Sequence, residues 1–335
     1  MKTVFIVGLV LMLSALSAPA AEVADTGVRV ARFKGDREAA LSFTLDDGWE
    51  DNATLAAPLF DRYGMHVTFF LVPGRIPLDD REKTAHDYGK ISWARWKQIA
   101  QAGHEIGNHT LHHQGLRKLD DAAVRAEIDG GRQLITEKIG VTPVSFAYPG
   151  NGRDDRLRKF VYAQHAVARE FESGYGGAKF TTEKANGMVA AALQQKRWMV
   201  AMLHAITNGY AAFPSASMLE EHLKYVQPLQ ERLWVDTFGN VGRYVKERDA
   251  AQLEVKRDAT SATLTLTTGL DATLFNVPLT VVIERVTATS AEAKREGEAA
   301  PLPVTLAAER LLLELVPGAK PVTIRWQNKP AATQK

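Results

Sequence analysis

The chain of 335 residues contains no cysteine. That excludes a disulfide framework, a thiolate metal site and a lipid-modified cysteine behind a leader, so any metal must be held by His, Asp or Glu. An excess of one charge is also missing: 41 Lys and Arg against 39 Asp and Glu leave a formal net charge of +2. No electrostatic footprint for nucleic acid follows from that balance, and small clusters such as Lys196-Arg197 read as solvated surface. Beyond the N-terminus no apolar run approaches the roughly 20 residues a bilayer crossing needs, so no membrane span is expected in the mature chain. Internal repeats and low-complexity tracts are lacking too.

What is present is globular material, 45% hydrophobic and 24% charged, long enough for a large domain and a smaller one. Residues 1–20 read as an export signal: Lys2 precedes an apolar run from Val4 to Leu16, and Ala18-Pro19-Ala20 has the small-x-small pattern that signal peptidases cut after. Mature protein is expected from Ala21, in a periplasm or outside the cell.

Apolar runs alternate with helical segments as far as Arg248. Strands are predicted at Ala39–Leu45, His66–Leu71, His104–Gly107, Val144–Ala147, Ala166–Arg169, Trp198–Leu203 and Leu233–Thr237. Between them lie helices such as Ser92–Ala102 and Asp120–Ile139, the latter with Val124, Ile128, Ile135 and Ile139 at helical spacing. About seven such units predict a distorted (β/α)7-type barrel. After residue 250 the pattern becomes alternating polar and apolar without helices, which predicts a small all-β domain over 251–328, with Ala293–Ala300 as an exposed loop and 329–335 as a flexible tail. Packing is its expected role, since no aromatic platform is evident in it.

Unusual polar residues recur directly after predicted strands, where parallel α/β barrels build their sites. After the first strand come Asp46 and Asp47, followed by Gly48; adjacent carboxylates at a strand end point different ways, so one can bind metal while the other handles a proton. A simple Asp-Asp-Gly turn is the plain alternative. After the third strand, GHEIGNHTLHHQG holds His104, His109, His112 and His113, of which His109 and His113 share a face if the segment turns helical. His104 reads as a buried hydrogen-bonded residue and His112 as solvent-facing; His66, His86 and His165 read as structural.

Asp47, His109 and His113 make three ligands with an open position, the arrangement of a catalytic site; their nitrogen and oxygen donors suit Zn2+, with Co2+, Ni2+ or Mn2+ also compatible. Asp46 is then the expected base, and His204, after the sixth strand, the expected acid, a satisfied core histidine at the end of an apolar strand being the plain alternative.

These residues resemble the polysaccharide deacetylases of the NodB-homology type, carbohydrate esterase family 4. The DDG element (Asp46, Asp47, Gly48), the HTxxH element (His109, Thr110, His113) and the LH element (Leu203, His204) occur in that family's order, over roughly Ala31 to Arg248. The resemblance implies Asp46 as base, Asp47, His109 and His113 as ligands, His204 as acid, and acetylated polysaccharide or oligosaccharide as substrate. It also exposes departures. Where the family often has an arginine in an RxPPYG-like loop, this chain reads SFAYPGNG, with Ala147, Tyr148, Pro149 and Gly150. Arg169, after the fifth strand, is the candidate substitute that could pair with Asp46, a surface ion pair being its plain alternative, and Asp236 is the candidate partner for His204. A backbone N–H near Tyr148–Gly150 is expected at the acyl oxygen. Trp49, Tyr148, Tyr175 and Tyr210 are candidates for stacking on sugar. The expected function is a metal-dependent N-acetyl sugar deacetylase; the rivals are an O-acetyl carbohydrate esterase and a non-catalytic carbohydrate-binding protein, against which the retained aspartates and histidines argue.

Overall fold

A computed structural model describes residues 26–77, 91–207 and 211–329. The predicted signal segment, His86, Tyr210 and residues 330–335 lie outside the described residues.

After β1 (Val28–Val30) the chain alternates: β2 (Ala39–Asp46), α1 (Ala57–Arg62), β3 (Thr68–Leu71), α2 (Trp93–Gln101), β4 (Glu105–Asn108), α3 (Asp121–Ile139), β5 (Ser145–Phe146) and α4 (Asp155–Tyr162). It continues with β6 (Val167–Ala168), β7 (Ser173–Gly174), α5 (Thr182–Gln194), β8 (Trp198–Leu203), α6 (Ala216–Val226), β9 (Leu233–Val235) and α7 (Phe238–Ala250). β2 to β9 form one sheet in the order β6-β5-β4-β3-β2-β8-β7, with β9 alongside β2 and all pairings parallel. The predicted fold class, a distorted (β/α)7-type barrel with a small all-β unit behind it, is the one the chain adopts. β7, two residues long, carries no periodicity and was not anticipated.

Local chemistry explains these elements. β2 is buried at every position, as a parallel strand covered on both faces must be, and its sequence AALSFTLD is apolar enough to permit it. α3 starts where Asp120 accepts the Ala123 N–H at 2.8 Å and stops at Gly140, whose φ of 87° only glycine adopts without cost.

The distortion comes from β9. It pairs with Ala39–Leu41 at the lower end of β2, below the point where β3 pairs with Thr44–Asp46. The first turn of α7 then tucks beneath the neighbouring strands: Phe238 N–H donates to Thr68 Oγ1 at 2.8 Å and Gly239 N–H to Glu105 Oε2 at 2.7 Å. The Phe238 ring joins Phe70, Val200 and Trp198 in an apolar cluster that plugs the barrel from the end opposite the strand-to-helix loops.

The remaining strands are β10 (Gln252–Arg257), β11 (Ser261–Thr267), β12 (Leu279–Glu284), β13 (Ala288–Arg295), β14 (Val304–Ala307), β15 (Arg310–Leu315) and β16 (Gly318–Asn328). They make two four-stranded sheets, β1-β12-β15-β14 and β10-β11-β16-β13, antiparallel throughout. The N-terminal β1 is therefore a member of the second unit, although the whole barrel, Ala39 to Ala250, separates it from its companions in sequence. Phe33, Trp234, Val241 and Tyr244 pack into one cluster with Leu264, Val281, Leu313 and Ile324, so α7 plugs the barrel with one face and seats the sheets with another. Residues Ala293–Ala300, read as an exposed loop, instead continue β13 as far as Arg295, with Ala293 fully buried. Among the described residues no helix is long and apolar enough to cross a membrane.

Candidate active site

Strand ends bring the polar residues together. Asp46 closes β2 and Asp47 follows in a left-handed conformation, φ 71°, with Gly48 at φ 66°. Beyond β4, Thr110 and His113 are also left-handed, at φ 68° and 60°. Such backbone costs a non-glycine residue about 1–2 kcal/mol, and its concentration at strand ends marks geometry kept for something other than stability. The 109–113 segment is consequently not helical, contrary to the simple spacing argument: His109 and His113 meet across a turn, ring centroids 4.7 Å apart.

Asp47 Oδ1 lies 3.7 Å from His109 Nε2 and 3.4 Å from His113 Nε2, and the three donor atoms fall within 4.8 Å of one another. Ligands bound at about 2.0–2.1 Å to a tetrahedral ion stand about 3.4 Å apart, so the set fits a divalent metal. His109 is prepared for that task, because Nδ1 donates to the Ala147 carbonyl at 2.8 Å and leaves the Nε2 lone pair facing inward. Burial pushes the His109 imidazole down to about 4, against the opposing pull of Asp46 and Asp47; burial likewise lowers His113. Both rings are therefore neutral, as ligands must be.

Asp46 is 3% exposed and Arg169 2%. Arg169 Nη1 donates to Asp46 Oδ1 at 2.7 Å and to Thr44 Oγ1 at 2.9 Å, while Nη2 donates to Asp46 Oδ2. Burial by itself would raise the Asp46 carboxyl, but the bidentate guanidinium, with His109 and His204 nearby, holds it below the usual carboxylate range. The pair bridges the two ends of the strand path, since residues 169–172 link β6 to β7. Asp46 Oδ2 stands 4.0 Å from His109 Nε2 and is thus the oxygen turned to the ligand cluster.

These groups line one cavity of about 460 Å³, shared by Asp46, Asp47, His109, His113, Tyr148, Gly150, Asn151, Arg169, Met202 and His204. Among the described residues the buried Tyr148 hydroxyl has no hydrogen-bond partner, and burial raises that phenol. Among the described residues the Tyr148 backbone N–H also makes no hydrogen bond.

Residues 34–167 match the sequence profile of the polysaccharide deacetylases. That segment, from before β2 to β6, is what the chain shares with the family. Curated relatives include the gellan lyase of a Bacillus species, 27% identical over 88% of this chain and 13% of that protein; such an alignment must run past α7 into the sandwich strands. Others are a peptidoglycan-N-acetylglucosamine deacetylase of Bacillus cereus, 27% identical over 37% of this chain and 52% of its own length, and chitin deacetylase 1 of Cryptococcus neoformans, 29% identical over 34% and 22%. The chain thus spans between about an eighth and about a half of these relatives. In fold it is similar to a crystal structure assigned to the polysaccharide deacetylases, from Mycobacterium smegmatis: TM-score 0.53, 16% identity, covering 69% of this chain and 98% of that one.

Some sequence expectations fall elsewhere. Trp49 is half-buried and is not among the cavity's lining residues, and Tyr175 is fully buried with its hydroxyl against His222. Asp236 is not positioned to serve His204: its carboxylate accepts from Trp234 Nε1 at 3.1 Å, Thr237 N–H at 2.7 Å and Asn240 Nδ2 at 2.9 Å. Its own N–H bonds Leu41 O, five residues below Asp46 on β2, about 16 Å at the rise of a strand. His104 is structural as expected, accepting the Val67 N–H at 3.2 Å and meeting Asp61 at 3.1 Å. Thr44, Asn151 and Met202 join the site unannounced; only Asn151, a short polar residue at φ 56° after Pro-Gly, carried a local signal.

Proposed function

We propose that this protein is a metal-dependent hydrolase that removes acetyl groups from N-acetylated polysaccharide or oligosaccharide. The observation that carries the reading is the meeting, in one cavity, of an ionised and rigidly oriented Asp46, the Asp47/His109/His113 donor set and His204. Relatives named for chitin and for peptidoglycan N-acetylglucosamine support an amide as the bond cleaved.

Asp47 Oδ1, His109 Nε2 and His113 Nε2 would hold the ion, which when bound supplies Lewis acidity to a water and to the acyl carbonyl. Zn2+ is the first expectation, with Co2+, Ni2+ and Mn2+ suited to the same donors. Asp46 Oδ2 takes the proton of the attacking water; Arg169 keeps the carboxylate ionised and fixes its plane. The Tyr148 N–H, with Gly150 shaping the loop, faces the acyl oxygen as charge develops there. His204, on the same cavity, gives a proton to the departing amine. Of the division read from the sequence, 21–250 as the catalytic domain and 251–328 as its packing partner, β1 goes with the second part, and the Lys2 to Ala20 pattern supports export to a periplasm or the exterior.

The test is acetate release by Asp46→Asn and His204→Ala proteins, with metal content verified, against peptidoglycan, chitin oligomers, an exopolysaccharide and acetylated xylan. Loss of at least two orders of magnitude is expected in each. Full activity in both would sink the assignment, and activity confined to xylan would move the enzyme to the esters.

A further inference from the structure

We infer that Glu127, on α3, is a positioning residue that builds the His109/His113 pair before any ion arrives; the inference rests on the metal-site reading above. Every backbone N–H from His109 to His113 is claimed. His109 N–H donates to Leu71 O, Thr110 N–H to Asn108 Oδ1, Leu111 N–H to Glu127 O, His112 N–H to Glu127 Oε2 and His113 N–H to Thr110 Oγ1. Two of these five bonds, those of Leu111 at 2.9 Å and His112 at 2.8 Å, end on Glu127.

The same carboxylate, 4% exposed, takes two more donors through Oε1: His112 Nδ1 at 2.8 Å and Gln114 Nε2 at 3.2 Å. The segment passes twice through left-handed backbone, at Thr110 and His113, and would relax without such restraint. The helix can come close enough only because position 131 is glycine: a Cβ there would stand 2.5 Å from Asn108 Oδ1 and 3.1 Å from the Leu111 nitrogen. The hydrogen bonds of Glu127 go to Leu111, His112 and Gln114 and not to the three ligand side chains, so its effect reaches the ion through the turn.

The test uses the full chain, stripped of metal and titrated with Co2+ followed by its visible absorption, with Zn2+ measured by chelator competition. In Glu127→Gln one acceptor oxygen remains where the carboxylate had two, so either the His112 N–H loses its partner or His112 must move its ring proton to Nε2, and affinity should fall about tenfold or more, as for other groups that orient metal ligands. Gly131→Ala, which displaces α3 from the turn, should fall similarly, while His112→Ala, which leaves the backbone bond intact, should fall less. Acetate release by Glu127→Gln should recover when metal is raised to saturation, which a merely misfolded protein would not do. If Glu127→Gln does not fold, Gly131→Ala decides alone. Wild-type affinity in either folded variant overturns the inference with the metal site intact; a wild-type chain that binds neither ion overturns the metal reading and this inference with it.

Discussion

Replacing Arg169 by Met leaves the Asp46 carboxylate buried without its cation, and the consequence should depend on pH in a defined way. In the native pair the carboxyl sits below its ordinary value, so its contribution to stability is fully present above the unfolded value of about 3.9 and is lost as pH falls through the still lower folded one. Without Arg169, burial, the largest influence, acts upward against only the smaller pull of His109 and His204. The folded variant then binds the proton more tightly than the unfolded chain, and stability falls as pH rises from about 4 through the raised value. Wild type and variant should differ little near pH 4 and most at pH 7 and above. Removing one partner of a buried, doubly hydrogen-bonded pair costs about 3–5 kcal/mol. In a chain of this size that lowers Tm by on the order of 4–7 °C. Thermal melts of chelator-treated protein at pH 4.5, 6 and 8 would measure it. The reasoning also requires that adding Asp46→Asn to Arg169→Met restores part of the loss, because the unpaired charge is gone. A pH-independent difference, or a double variant less stable than Arg169→Met alone, would refute it.

Burial holds His165 and His222 down to about 4, so the unfolded chain binds more protons between there and its own value near 6.5. Metal-free protein should therefore lose roughly 3 kcal/mol for each ring as pH drops across that window, and a flat Tm from pH 7 to 4.5 would contradict it. Truncation after Arg248 strips the cover from Phe33, Trp234 and Tyr244 and leaves β1 without β12. The product should aggregate on size-exclusion chromatography; a soluble, cooperatively melting monomer would show that the sandwich is dispensable. At Gly107 a Cβ would stand 2.5 Å from the Phe70 ring, so Gly107→Ala should cost about 1–3 kcal/mol in urea denaturation.

The legible part of this protein was local. Strand β8 matches its predicted span of Trp198–Leu203, and α3 differs from its predicted span only by treating Asp120 as the cap, because a buried run and an Asp-capped, Gly-ended periodicity are properties of adjacent residues. The Asp-Asp-Gly and HTxxH elements were visible for the same reason, and they sit where strands end.

What a linear pattern could not decide was which distant residues meet. Arg169 is 123 positions from Asp46 and reaches it because β6 and β7, the ends of the strand path, meet at that seam. Asp236 looked equivalent on paper, yet β9 enters the sheet low on β2 and spends that carboxylate on the start of α7. The histidine pair depends on left-handed turns held by Glu127, which no i, i+4 spacing encodes. β1 joins a sheet whose other strands begin more than 240 residues later. By itself, then, the sequence determined the elements, the chemical types and the end of the barrel where they gather, since those follow from short-range periodicity and strand termini. Only the tertiary structure decided which carboxylate is paired with arginine, which histidines face one another and what plugs the barrel, because register and strand order are set by packing across the whole chain.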